Sequence, residues 1–327
     1  MKKMPFILII IFLAILSKQG YSGIKKVAQT GIQFLKIDVG ARPAAMGGAY
    51  LMIDDDATAM FYNSAGISKM RHSFEFLATQ TQWIADITYT AFAVAYNAGT
   101  MGQFGVSGIV SDYGKIFGTQ IASNDLGFIE TGNLSATSYV MGLTYARALT
   151  DKFSIGGQVK YVYQQLGESI TTSNTPKKNA VGGLAYDFGT IFYPGYKSFR
   201  FGMTIRNFSQ QFKYEKTAFE LPLTFSIGIA MDVLDFFDQA GDHSLLLAID
   251  ALHPRDYTER LHVGFEYAFH KMFFLRGGYK INYDEEGLSA GVGFQKELFG
   301  GNIIIDYSYS DGGVFNAVNR FSFGIAF

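Results

Sequence analysis

From Ser73 to the C-terminus, large apolar residues alternate one by one with small, polar or charged residues. In the last segment Phe321, Phe323, Ile325 and Phe327 share one face, and Arg320, Ser322, Gly324 and Ala326 the other. Leu261, Val263, Phe265, Tyr267 and Phe269 alternate with His262, Gly264, Glu266 and Ala268. Ile303, Ile305, Tyr307 and Tyr309 stand against Ile304, Asp306, Ser308 and Ser310. A period of two is that of a strand, whose pleat sends successive side chains to opposite faces. A soluble sandwich alternates too, with its apolar face inside. Here that face is bulky and aromatic in nearly every segment, as a lipid-facing belt requires, while the other mixes Gly and Ala with charges, as a confined lumen does.

Segments of this kind are expected to begin near Ser73, Ala85, Met101, Ser138, Phe153, Asn179, Ser198, Leu221, Ser244, Arg260, Met272, Gly287, Asn302 and Asn319. That makes about fourteen strands, an even number as bacterial membrane barrels require. With the C-terminus in the periplasm, the inner connections (97–100, 149–152, 189–197, 233–243, 270–271 and 297–301) are mostly short. The outer ones include the long stretches 111–137, 167–178 and 209–220. This is the asymmetry of outer-membrane barrels. The expected fold is an all-β, transmembrane antiparallel barrel in the bacterial outer membrane.

The chain ahead of the strands reads differently. Lys2 and Lys3 precede an apolar run from Phe6 to Leu16, and Gly20 and Ser22 stand at −3 and −1 of a cut before Gly23. This pattern is that of a secretory signal peptide over 1–22. Residues 23–71 carry no sustained alternation, and 72–327 form the barrel. Asp54, Asp55 and Asp56 precede an Ala-rich run ending at Gly66, which predicts a short N-capped helix rather than a cation site. This segment is expected to be a hatch against the periplasmic end of the lumen, because fourteen strands enclose more space than their own side chains fill. Phe34, Leu35, Ile37, Met46, Met52, Met60 and Phe61 need cover. Ala44, Ala45, Gly47 and Gly48 let the backbone pass close to the wall, and Arg42 is expected to meet a lumen acid such as Asp250 or Asp306.

Composition sharpens the picture. Charged residues make up 17% of the 327, aromatic residues 16%, and there is no Cys. That removes disulfides, thiolate nucleophiles and Cys-ligated metals. A net charge of −1 gives no sign of a nucleic-acid partner.

The stretch from Phe34 to Ala49, FLKIDVGARPAAMGGA, followed by Asp55 to Gly66, DDATAMFYNSAG, resembles the opening of the PorV/PorQ family within the FadL-like superfamily of outer-membrane transporters. Phe34, Arg42, Gly47, Gly48, Asp55 and Asn63 mark the hatch in that resemblance. Leu247 to Asp250, Gly264 to Tyr267 and Leu275 to Tyr279 continue it downstream. One departure is Ser64, where the related pattern reads Pro. The resemblance implies a fourteen-stranded barrel with N-terminal segments in or under its lumen. It further implies a transport or secretion component docking proteins exported by type IX secretion. The alternative it leaves open is a FadL-like passive channel for hydrophobic solutes such as fatty acids.

No catalytic constellation stands out. The five His form no His-x-x-x-His pair, Gly105-Val106-Ser107-Gly108 is not a nucleophile elbow, and Gly291-Val292-Gly293 sits inside a strand. An outer-membrane lipase would need a lipid-facing Ser and His pair, and pleat parity yields none. No catalytic residue, metal site or cofactor is assigned. Lys177, Lys178, Asp284, Glu285 and Glu286 read as solvated loop charges. Parity directs Lys160, Asp187, Arg200, Arg206, Asp250, Glu266, Arg276, Lys280, Asp306 and Arg320 into the lumen. Asp250, Glu266, Arg276, Asp306 and Arg320 are the candidate polar cluster, since charges at membrane depth need partners. Glu266 and Arg276 flank the turn at His270-Lys271, and Gly291 and Gly293 leave room for Arg276 to reach Asp306. The expected partners are outer-membrane lipid, the barrel-assembly machinery, secreted proteins or secretion components, and a hydrophobic small molecule. Deleting Phe327 should impair assembly, because the terminal aromatic face resembles the signal read by that machinery. Heat-modifiable, membrane-inserted protein at normal levels after the deletion would refute this.

Overall fold

The computed structural model describes residues 29–170, 176–237, 242–298 and 300–327. The expected signal peptide lies outside the described residues. The barrel strands are β1 (Phe74–Gln82), β2 (Thr88–Asn97), β3 (Gln103–Asp112), β4 (Thr137–Thr150), β5 (Phe153–Ile170), β6 (Pro176–Phe192) and β7 (Arg200–Ser209). They continue as β8 (Thr224–Asp232), β9 (His243–Pro254), β10 (Arg260–Phe269), β11 (Phe273–Ile281), β12 (Leu288–Leu298), β13 (Gly301–Ser310) and β14 (Val318–Ala326). Each pairs antiparallel with its neighbours in sequence, and β1 closes on β14 from Glu75↔Ala326 to Gln82↔Asn319. Phe327 extends the seam: its carbonyl accepts from the amides of Ser73 and Phe74, and its amide donates to the Phe74 carbonyl at 2.8 Å.

The pleat sorts the two faces as the alternation requires. Phe265 is 41% exposed while Glu266 beside it is 5% exposed. Phe188, Leu275, Ile305 and Phe321 likewise stand outward, forming an apolar belt around a closed barrel. A closed barrel with such a belt is an outer-membrane protein, since closure leaves no unpaired edge in lipid.

Most strand boundaries lie within two or three residues of the expected starts, and the departures have local causes. Ala85 adopts a left-handed conformation in the turn Ile84–Asp86, so β2 begins at Thr88. Pro222 lacks an amide to donate, and β8 begins at Thr224, with Leu221 buried. The stretch 167–178, expected as a long loop, is mostly strand: past a bulge, Glu168↔Lys178 to Ile170↔Pro176 continue the ladder. The connection 111–137 contains its own hairpin, Ile116–Ile121 against Phe128–Leu134. A second small hairpin, Phe212–Lys213 against Ala218–Phe219, fills the β7–β8 connection.

Residues 29–70 run through the barrel. The expected single helix over 57–65 is two 3₁₀ turns: Asp56 caps Ala57–Phe61 through the Thr58 amide, and Asn63 caps Ser64–Lys69 through the Ala65 amide. Two short caps seven residues apart leave no room for a continuous helix. Ser64 holds the first position of the second turn, where Pro is also accommodated. A helix not expected from the sequence, α1 (Ala41–Ala45), lies against β11–β14. The segment is not confined to the periplasmic end. Gly31 donates to the Glu220 carbonyl at 3.0 Å in the long-loop end of the barrel, whereas the Met70 carbonyl accepts from Asn97 at the short-turn end. It spans the lumen because both ends find partners: Ile32 and Phe34 pack with Phe212, Leu221 and Val162 at the outer end.

Substituting Phe265→Arg should destabilise the barrel by roughly 2–4 kcal/mol if the residue lies near the bilayer midplane, less near an interface. Spin labels at 265 and 266 should differ in access to oxygen and to a polar relaxation agent; equal access at both would contradict the register.

Candidate functional site

Two polar layers lie inside the barrel. The first joins the hatch to the wall. Glu266 on β10 and Arg276 on β11 are directly paired in register, and the Arg276 Nε donates to Glu266 Oε2 at 2.5 Å. Arg276 Nη1 reaches Asp306 Oδ1 on β13 at 2.5 Å, skipping β12. It can do so because Gly293 lies between: a Cβ there would fall on the Asp306 carboxylate and 2.5 Å from Arg276 Nη1. From the hatch, Arg42 grips Glu266 bidentately, Nε to Oε2 at 2.8 Å and Nη2 to Oε1 at 2.7 Å. Its Nη1 reaches Asp55 and Asp56, each at 2.8 Å. Bidentate, charge-assisted bonds of this kind fix geometry as well as charge.

Arg42 therefore meets Glu266, not Asp250 or Asp306. The α1 helix brings the hatch down beside β10 and β11, whose Gly264 and Gly278 let Met46 and Gly47 approach the wall. Gly47 takes φ 65°, and a Cβ on it would stand 2.8 Å from the Tyr279 amide nitrogen, so a larger residue would break both the turn and the docking. Gly48, also at positive φ, passes His262.

Of the five candidate cluster residues, only Glu266, Arg276 and Asp306 come together. Asp250 stands apart on β9: its Oδ2 accepts the Tyr50 and Leu51 amides at 2.7 and 2.9 Å, so it anchors hatch backbone. Arg320 stands further out, donating to the Asp38 carbonyl at 3.3 Å and to Ser310 at 3.0 Å. Parity selects the face of a strand but not the height or the neighbour across the lumen. Among the hatch residues, Asn63 ties the Leu51 and Thr190 carbonyls together at 3.0 and 3.2 Å, and Phe34 belongs to the outer apolar cluster rather than the polar layer.

The second layer lies nearer the outer mouth. Lys280 pairs with Asp38 at 2.7 Å and with Glu286, so Glu286 is not a free loop charge. Burial opposes the Asp38 carboxylate, but Lys280, Arg320 and His262 outweigh it and hold its pKa at about 2. Asp256, in the β9–β10 connection, receives the Thr30 hydroxyl at 2.6 Å and the Lys36 ammonium. Burial works against Asp256 as well, yet these donors keep it below its ordinary value. Asp256 had no signal in the sequence, being one acid in an outer connection. On the β6–β7 side, a bulge turns Asn207 inward beside Arg206, and Lys160 bonds Asp187 and Asn207 at 2.7 and 2.6 Å.

Within the second layer lies a cavity of about 240 Å³, lined by Lys36, Asp38, Asp187 and Glu286 among others. Leu35, Ile37, Leu51, Phe61, Val140 and Leu252 contribute apolar wall, and Trp83, the chain's single tryptophan, lines it. The polar groups Lys160, Asp187, Arg206, Arg260 and Lys280 share the lining. Among the described residues, no three His, Asp or Glu side chains are placed to hold a metal ion.

No protein-family profile and no characterised protein sequence matches the chain. Solved structures do resemble it. The toluene transporter TbuX of Ralstonia pickettii shares 15% identity, with 88% of this chain and 97% of that one covered at a TM-score of 0.55. The toluene transporter TodX of Pseudomonas putida shares 13% identity over 88% and 96% of the chains, at 0.57. A FadL homologue of Pseudomonas aeruginosa shares 12% identity over 93% and 99%, at 0.51. The likeness is one of fold: this chain has the barrel architecture of those FadL-type proteins.

Substituting Arg276→Met should leave Glu266 and Asp306 with one buried cation fewer and cost about 3–5 kcal/mol. Arg276→Met combined with Asp306→Leu restores charge balance, with Arg42 still on Glu266, and should recover much of the loss. Thermal unfolding in detergent reads both. A double variant no more stable than the single would show that charge balance is not what the cluster supplies.

Proposed function

We propose that the chain carries small hydrophobic solutes passively across the outer membrane through its lumen. On this reading, residues 1–22 are a signal peptide, 23–71 the hatch and 72–327 the barrel, and no catalytic step or cofactor is involved. The observation that carries it is the cavity of about 240 Å³ inside the barrel, with apolar wall and a hatch tied beneath it by Arg42. The solved structures of similar fold include toluene transporters, which supports a hydrophobic cargo. The secretion reading, with exported proteins as partners, rests on the sequence resemblance alone, and the lumen geometry adds nothing to it. Passage requires the hatch to shift, which breaks its polar ties, Arg42 to Glu266, Asp250 to two amides and Asn63 to two carbonyls, along with its apolar contacts to the wall.

Deleting Phe34 to Gly66 should leave an inserted barrel with raised conductance in planar bilayers and faster uptake of small solutes by liposomes. A folded deletion variant with unchanged conductance and uptake would overturn the reading.

A further inference from the structure

Two adjacent strands interrupt the apolar belt. On β1 the lipid-facing row runs Phe74, Phe76, Ala78, Gln80, Gln82, and on β2 it runs Tyr96, Val94, Phe92, Thr90, Thr88. Gln80 lies opposite Thr90, and Gln82 opposite Thr88, in the β1–β2 register. Gln80, Gln82 and Thr90 are exposed, and none of these four side chains makes a hydrogen bond among the described residues. At the same distance from the short-turn end, other strands present Val110, Leu143, Val159, Phe225 or Phe321 to the lipid.

Strand geometry sets the depth of the patch. A rise of about 3.3 Å per residue and a tilt of about 40° lift a strand roughly 2.5 Å per residue along the barrel axis. Gln80 and Thr90 each lie six residues from an inner aromatic end, Phe74 and Tyr96. They then stand about 15 Å up an apolar band about 25 Å tall. Acyl chains at that depth offer neither donor nor acceptor, so an unbonded amide there is costly. A primary amide has two donors and an accepting oxygen, more than one threonine hydroxyl opposite it satisfies. All four side chains are uncharged and carry both donor and acceptor, so the patch is complementary to itself. A two-fold contact requires that self-complementarity. Ala78, next to Gln80 in the row, leaves room for a second wall to approach, as small residues do at contacts within membranes. We propose that this face of β1 and β2 is the contact between two copies of the chain in the outer membrane, with Gln80 and Thr90 of each bonding across a two-fold axis. The inference is independent of what the lumen carries.

The chain has no Cys, so one introduced thiol reports contact without background. Full-length protein carrying Ala78→Cys, oxidised with copper phenanthroline in native outer membranes, should give a disulfide-linked band of twice the chain's mass. Ile227→Cys on β8, seven strands round the ring of fourteen, should give none. Gln80→Leu combined with Thr90→Val removes the hydrogen-bonding groups and keeps their approximate shape. Copies carrying a dye at Thr100→Cys, in the exposed turn after β2, are reconstituted in liposomes and diluted into lipid. Energy transfer should show the double variant dissociating at least about tenfold more readily than the protein without those two substitutions. Its heat-modifiable gel mobility should be unchanged, because both substituted residues face lipid. Monomer at every protein-to-lipid ratio overturns the proposal. So does equal cross-linking at 78 and 227, or a folded double variant that dimerises as before. A band in native membranes that joins this chain to a different polypeptide overturns it in favour of another partner.

Discussion

Backbone amides and carbonyls at bilayer depth find no water, so a strand protein can cross only by pairing every strand with two neighbours. The β1–β14 seam is therefore the contact on which the rest depends. It runs without a break from Glu75↔Ala326 to Gln82↔Asn319 and is extended by Phe327. Closure at fourteen strands has a second consequence: the ring is wider than its own inward side chains can fill. The lumen must then hold water, a plug, or both.

The hatch answers that need, and its composition follows from its surroundings. Its backbone polar groups, taken inside the barrel, must find partners. Some are met by its own 3₁₀ turns and α1, others by wall side chains placed for them: Asp250 for Tyr50 and Leu51, Ser322 for Ala41, Ser289 for Ala45. Charges on the wall are balanced in the same way, by Arg42 on Glu266 and by Asp38 on Lys280. Apolar contact adds to these ties: Met46, Tyr50, Leu51 and Ile53 pack with Ile191, Ala230 and Ala248, and Met60, Ile67 and Met70 with Leu77, Ala93 and Ala146.

The filling is incomplete. The outer third of the segment packs as an apolar strap around Phe34 and the inner part docks on β10–β13, leaving the cavity between them. The bulge at Arg206-Asn207 lies on its wall: Arg206 keeps the inward parity of Gly202 and Thr204, and the bulge turns Asn207 inward beside it where regular pleating would have sent it to lipid. Site and irregularity coincide there.

The sequence by itself determined the strand count and the sidedness of the strands, because alternation and turn residues are local properties of the chain. Glu266 beside Arg276 followed from a single tight turn, and the gap at Gly293 from one missing side chain. Tertiary structure alone decided which charges meet. Asp250 and Arg320 share the inward face with Glu266 yet sit at other heights and other points of the ring. Arg42 chose Glu266 through the docking of α1, a helix too short to leave a periodic signal. Asp256 acquired its role from a strap that crosses the whole lumen to reach it. Those pairings join residues 199 to 282 positions apart, and no local pattern encodes a distance that only barrel closure creates.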